Sequence, residues 1–101
     1  MSVELAIRIV RFVDDYQPGI VEAEFEDAAG VRHSVIDKVP MISLEDLDAK
    51  SEYPRAGSIR CDVLSRWRDE TGRDLVRVRS HWGIETTAGV FEWIVLEGQV
   101  S

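Results

Sequence analysis

Alternation with a period of two constrains this chain most. Val3, Leu5, Ile7 and Ile9 alternate with Glu4, Ala6 and Arg8, and Val21, Ala23 and Phe25 alternate with Glu22, Glu24 and Glu26. Ile59, Cys61, Val63, Ser65 and Trp67 alternate in the same way with Arg60, Asp62, Leu64, Arg66 and Arg68. Successive side chains of an extended strand point to opposite faces, so this pattern describes strands with one face on a core and one on water. The runs are rich in β-branched and aromatic residues, and turn-forming Gly segments separate them.

The expected strands are Val3–Val13, Ile20–Glu26, Val31–Asp37 with a continuation over Val39–Ile42, Ser58–Asp69, Asp74–Arg79, Ile84–Thr87 and Val90–Leu96. Asp14–Gly19 forms the first loop. Tight hairpins fall at Asp27-Ala28-Ala29-Gly30, Glu70-Thr71-Gly72 and Ala88-Gly89. In the first strand the apolar phase shifts at Val10 and Phe12, which a β-bulge would produce. Pro40 favours an edge. Ser43-Leu44-Glu45-Asp46-Leu47 is the one helical candidate, with Ser43 as N-cap and Leu44 and Leu47 on one face. The fold expected is all-β and mostly antiparallel, a small closed or partly open β-barrel of about six or seven strands with one short helical turn near residues 43–48. At 101 residues it forms one domain spanning 1–101.

No apolar run approaches the length of a membrane-spanning helix, so no membrane partner is expected. The first residues lack a basic segment followed by an apolar stretch, and the single Cys61 has no partner for an internal disulfide. Both point to the cytoplasm. The net charge of −7 opposes nucleic acid as a partner, since phosphate is neutralised by Lys and Arg.

The inventory for chemistry is thin. Cys61 falls on the apolar face, where a thiol acts as a small core residue. His33 alternates with Val31 and Val35 and reads as a core or rim histidine, while His81, at a corner, reads as exposed. Asp14-Asp15 reads as a solvated turn. No spacing of His, Cys and Asp fits a structural zinc site, and no phosphate loop is present. Neither catalytic residues, nor a metal, nor a cofactor is expected, and the chain reads as a non-enzymatic binding protein.

Charge is the more informative property. Residues 1–52 hold twelve acidic and five basic residues, whereas residues 53–101 hold seven of each. Glu22, Glu24 and Glu26 form a candidate acidic face. Arg60, Arg66 and Arg68, with Arg77 and Arg79 on the next strand, form an arginine strip on one outer face. Like charges across a strand pair repel, so the strip needs either carboxylates of the same molecule or an outside anion. Trp82 beside His81, with Tyr53 and Arg55 of the long loop, would line a groove next to the strip. Trp67 and Trp93 read as core anchors. The expected partner is a protein or a second copy of the chain. An immunity-type inhibitor of a basic protein is a narrower form of that reading. A barrel binding a small anionic ligand or nucleic acid through the arginine strip is the alternative.

Overall fold

The computed structural model describes residues 1–15 and 18–101, so Tyr16 and Gln17 of the expected first loop lie outside the described residues. Six strands form one antiparallel sheet curled into a half-barrel: β1 (Ser2–Asp14), β2 (Ile20–Glu26), β3 (Arg32–Lys38), β4 (Arg55–Arg68), β5 (Asp74–Ser80) and β6 (Glu92–Leu96). The order across the sheet is β3-β2-β1-β4-β5-β6. The strand β1 organises it, because Ser2–Ile9 pairs with β4 while Arg8–Asp14 pairs with β2. Register slips between Ile9 and Arg11 and between Phe12 and Asp14 bend β1 at the expected phase change. The slip keeps both Ile9 and Phe12 against the core, and such bulges add the local twist that a curled sheet requires.

The inner face buries Leu5, Ile9, Val21, Val35, Ile59, Cys61, Val76, Val78 and Val95 completely. Phe25 and Trp93 meet edge to face across the interior with centroids 5.1 Å apart. The two edges of the sheet are stitched together. Thr87 N–H donates to Ser34 O at 2.8 Å, and Ala28 N–H donates to Ile94 O at 2.9 Å. Glu4 and Ser101 exchange two backbone hydrogen bonds, which lays the last residues along the free side of β1. These contacts satisfy backbone groups that open edges would leave exposed.

Three expected elements differ. Val39–Met41 is a 3₁₀ turn, and the expected helical turn at 43–48 does not form. Ser43 Oγ does accept from Glu45 N–H at 3.0 Å, but Leu47 is buried while Leu44 is fully exposed, so the two leucines do not share a face. Core burial of Leu47 outweighs a helix of one or two turns, which has little stability of its own. The expected strand Ile84–Thr87 is also absent. Instead the chain folds tightly, with Thr86 N–H donating to Val90 O and Gly89 N–H to Thr86 O, both at 2.8 Å.

The segment between η1 (Val39–Met41) and β4 forms a strap over the barrel. Ser58 N–H donates to Ile42 O at 2.9 Å, and Gly57 makes that approach possible. A Cβ at Gly57 would stand 3.0 Å from Ile42 O and 2.9 Å from Ile9 Cδ1. No helix among the described residues is long and apolar enough to cross a membrane.

Candidate functional site

The two charged rows are paired within the chain. Arg8 meets Glu24 at 2.8 Å, Arg11 meets Glu22 at 2.5 Å and Arg32 meets Glu26 at 3.9 Å, so the Glu22, Glu24 and Glu26 row is matched by arginines on neighbouring strands. Along β4 and β5, Arg60 pairs with Glu4, Arg66 with Glu97, Arg68 with Asp74 and Arg79 with Glu92. Exposed pairs of this kind add only about 0–1 kcal/mol each, but they remove the repulsion that the rows would otherwise suffer. Arg77 alone among the ten arginines has no ion-pair partner among the described residues. Its cross-strand neighbours, Ser65 and Ile94, are uncharged.

The arginine strip is not one continuous face. A register slip between Val63 and Ser65 inserts one residue into β4 and reverses its phase. Arg66 then stands opposite Val76 and Arg68 opposite Asp74, while Arg60 remains two residues from Asp62, which faces Arg79. The same slip places Trp67 opposite Leu75, where it is 38% exposed. Trp67 is therefore not the core anchor its alternation implied, whereas Trp93, at 4% exposed, is one.

The structure gathers Arg60, His81 and Trp82 at one place. His81-Trp82-Gly83-Ile84 is a tight turn closed by Ile84 N–H to His81 O at 3.1 Å. Both central residues have positive φ, 57° at Trp82 and 67° at Gly83, as in a type I′ turn. Gly, Asn and Asp ordinarily occupy such positions. A tryptophan there carries a backbone penalty of about 1–2 kcal/mol, and this one is 67% exposed. Little burial offsets that penalty, beyond the edge-to-face contact with His81 at 5.5 Å.

Trp82 lines a groove of about 360 Å³. Pro40 and Met41 of the 3₁₀ turn, Ile42 after it and the fully exposed Leu44 line it as well, together with the Glu4–Arg60 pair. Ser58 Oγ donates to Glu4 Oε2 at 2.8 Å, and Arg60 donates to Glu4 Oε1 through Nη2 at 2.8 Å. These bonds, Ser58 first, hold the Glu4 carboxyl below its ordinary value against the opposing effect of burial. The charged side of the groove is thus fixed and ionised at neutral pH. The sequence pointed to Trp82 and Arg60 but missed Pro40–Leu44, because the apolar run Val39–Ile42 reads as a strand and only Pro40 signals the turn.

The other expected site residues fall elsewhere. Tyr53 and Arg55 do not line the groove. Tyr53 Oη donates to Asp48 O at 2.9 Å, and Arg55 pairs with Glu45, so both brace the strap. His81 is half-buried rather than freely exposed, with Nε2 2.9 Å from Asp62 Oδ1, and this contact lowers the Asp62 pKa. His33 sits at the rim, stacked on Phe25 and 2.8 Å from Asp27. Burial pushes the Cys61 thiol up to about 12, leaving no thiolate at neutral pH.

With the rows matched, the acidic surplus lies in the loops. Asp15, Asp46, Asp48, Glu52, Glu70 and Glu85, with Asp37 near the end of β3, have no basic partner among the described residues, and Asp15, Asp46 and Asp48 border one cavity with Phe12 and Leu47. The strap therefore has two aspects: Pro40–Leu44 on the Trp82 groove and Asp46–Asp48 on the acidic cavity. Comparison of the chain with protein-family models, with curated proteins and with solved structures gave no match.

Proposed function

We propose that this protein is a non-enzymatic binding module for a basic segment of a partner protein, with one apolar side chain of the partner anchored against Trp82. The observation that carries this reading is the exposed tryptophan held in a disfavoured backbone conformation beside the exposed Leu44. Strain retained without compensating burial is a feature of sites kept for function. Tryptophan is also the residue most often found at the energetic centre of protein interfaces.

Charge gives the partner its chemistry. The uncommitted carboxylates Asp46 and Asp48, which follow Leu44 along the strap, favour lysine and arginine in the partner, and they disfavour nucleic acid or a second copy of this equally acidic chain. Electrostatic complementarity of this kind raises the association rate and excludes wrong partners. An inhibitor that covers a basic protein is the narrower form of the same reading. The buried, unpaired Cys61 fits a reducing compartment such as the cytoplasm.

Selection from a displayed peptide library, with the full chain as bait, tests this reading. Enriched peptides should carry an apolar or aromatic residue flanked by Lys or Arg, and Trp82→Asn bait should lose them. Enrichment of acidic peptides, or an enriched set indifferent to Trp82→Asn, would overturn it.

A further inference from the structure

A second concavity, of about 410 Å³, shares no lining residue with the Trp82 groove. It lies at the seam of the half-barrel, where the hairpin joining β2 and β3 meets β5 and β6. Ala28, Leu75, Val90 and Ile94 give it an apolar wall, and its volume falls in the range of small-molecule sites.

Its charged groups can be accounted for one by one. Asp27 is held by His33 and by the backbone N–H groups of Ala29 and Val31. Glu92 is taken by Arg79. Arg73 is shared between Asp69 and the Ala28 carbonyl. Only Arg77 remains, the one arginine with no carboxylate among the described residues. A guanidinium beside an apolar wall offers two parallel donors to a carboxylate and a dry surface to the rest of the ligand. Asp27 and Glu92 border the same cleft, so a dianion would meet repulsion that a single negative charge meets less.

We infer that the seam cleft binds a small organic monoanion, a carboxylate on an apolar or aromatic body, with Arg77 as its anchor. The inference stands apart from the proposed protein partner, because the two sites use different residues and opposite charges.

The test is amide chemical-shift titration of the full chain with 3-phenylpropionate, its uncharged alcohol 3-phenylpropan-1-ol and the dianion phenyl phosphate. Saturable shifts at Ala28, Ala29, Arg77 and Ile94 are expected with the carboxylate, with a dissociation constant on the order of 1 mM or tighter. The alcohol and Arg77→Gln should each weaken binding about tenfold, the loss of one charge-assisted pair. Arg68→Gln, which alters an arginine committed to Asp74 and away from the cleft, should leave the affinity near that of the parent. Absence of saturable shifts, tighter binding of phenyl phosphate, or affinity indifferent to Arg77→Gln would overturn the inference.

Discussion

Trp82 occupies a backbone position that stability alone would give to another residue. Its φ of 57° suits Asn, which tolerates the left-handed region, better than any aromatic residue. Replacing a buried tryptophan with a small residue costs about 3–5 kcal/mol. Trp82 is largely exposed, so Trp82→Asn should change folding stability by no more than about 1 kcal/mol in either direction, because strain relief offsets the lost His81 contact. Urea unfolding measures this, and a large loss would mean that Trp82 holds the turn together. The exposed corner was legible in His81-Trp82-Gly83. What faces it was not, because Leu44 lies nearly forty residues away and its neighbours read as a strand or a helix. Trp67 carries the complementary lesson. Its alternation with Cys61 and Val63 was correct until one inserted residue reversed the phase, and β4 carries no glycine or other mark at that point.

Among the elements, strands with one wet and one dry face were the most legible, and β2 has the boundaries that its alternation gave. The bulge in β1 was legible because apolar residues change phase there. The strap was not, since its conformation is set by docking against β4 rather than by local preference. Gly57 makes that docking a testable matter. Gly57→Ala places a methyl against Ile9 and against the Ile42 carbonyl, a backbone atom that cannot swing aside. Overpacking of this sort costs about 1–3 kcal/mol. The variant should therefore melt at a lower temperature, and the amides of Ile42 and Ser58 should exchange hydrogen faster than in the parent. Unchanged melting and exchange would show that the strap is not held by this contact. The β4–β5 hairpin depends on Asp69, which accepts from Thr71 and Arg73 backbone N–H groups and both of their side chains. Those bonds, the Arg73 backbone N–H foremost, hold the Asp69 carboxyl far below its ordinary 3.8.

For the whole molecule, charge sets the response to pH and to salt. Glu4, Asp27, Asp62 and Asp69 all have lowered pKa values in the fold. At Asp27 burial opposes the shift, but the bonds from His33, Val31 and Ala29 outweigh it. The unfolded chain, with ordinary values of 3.8 for Asp and 4.5 for Glu, binds more protons than the fold at acidic pH. The stability these groups add is complete above those values and is lost as pH falls through the lower folded ones. Melting temperature should thus be flat near neutrality and drop below about pH 4, with a shallower drop in Asp69→Asn. Because the Glu and Arg rows are matched inside one chain, light scattering should give a monomer at both low and high salt. A dimer that dissociates with salt would mean that the rows meet between subunits. The charge imbalance between the halves was legible in the sequence. The matching of the rows was not, since it depends on which strands lie side by side.

The central claim is that Trp82, Leu44 and the acidic strap form one surface for a basic segment. The most direct measurement is amide chemical-shift mapping with an acetylated pentapeptide carrying phenylalanine between two pairs of lysines, repeated at rising salt. The account predicts saturable shifts at residues 41–48, 58–60 and 81–83, weakening as salt rises and absent in Trp82→Asn. Shifts gathered instead at the β4–β5 hairpin, or binding unchanged in that variant, would contradict it.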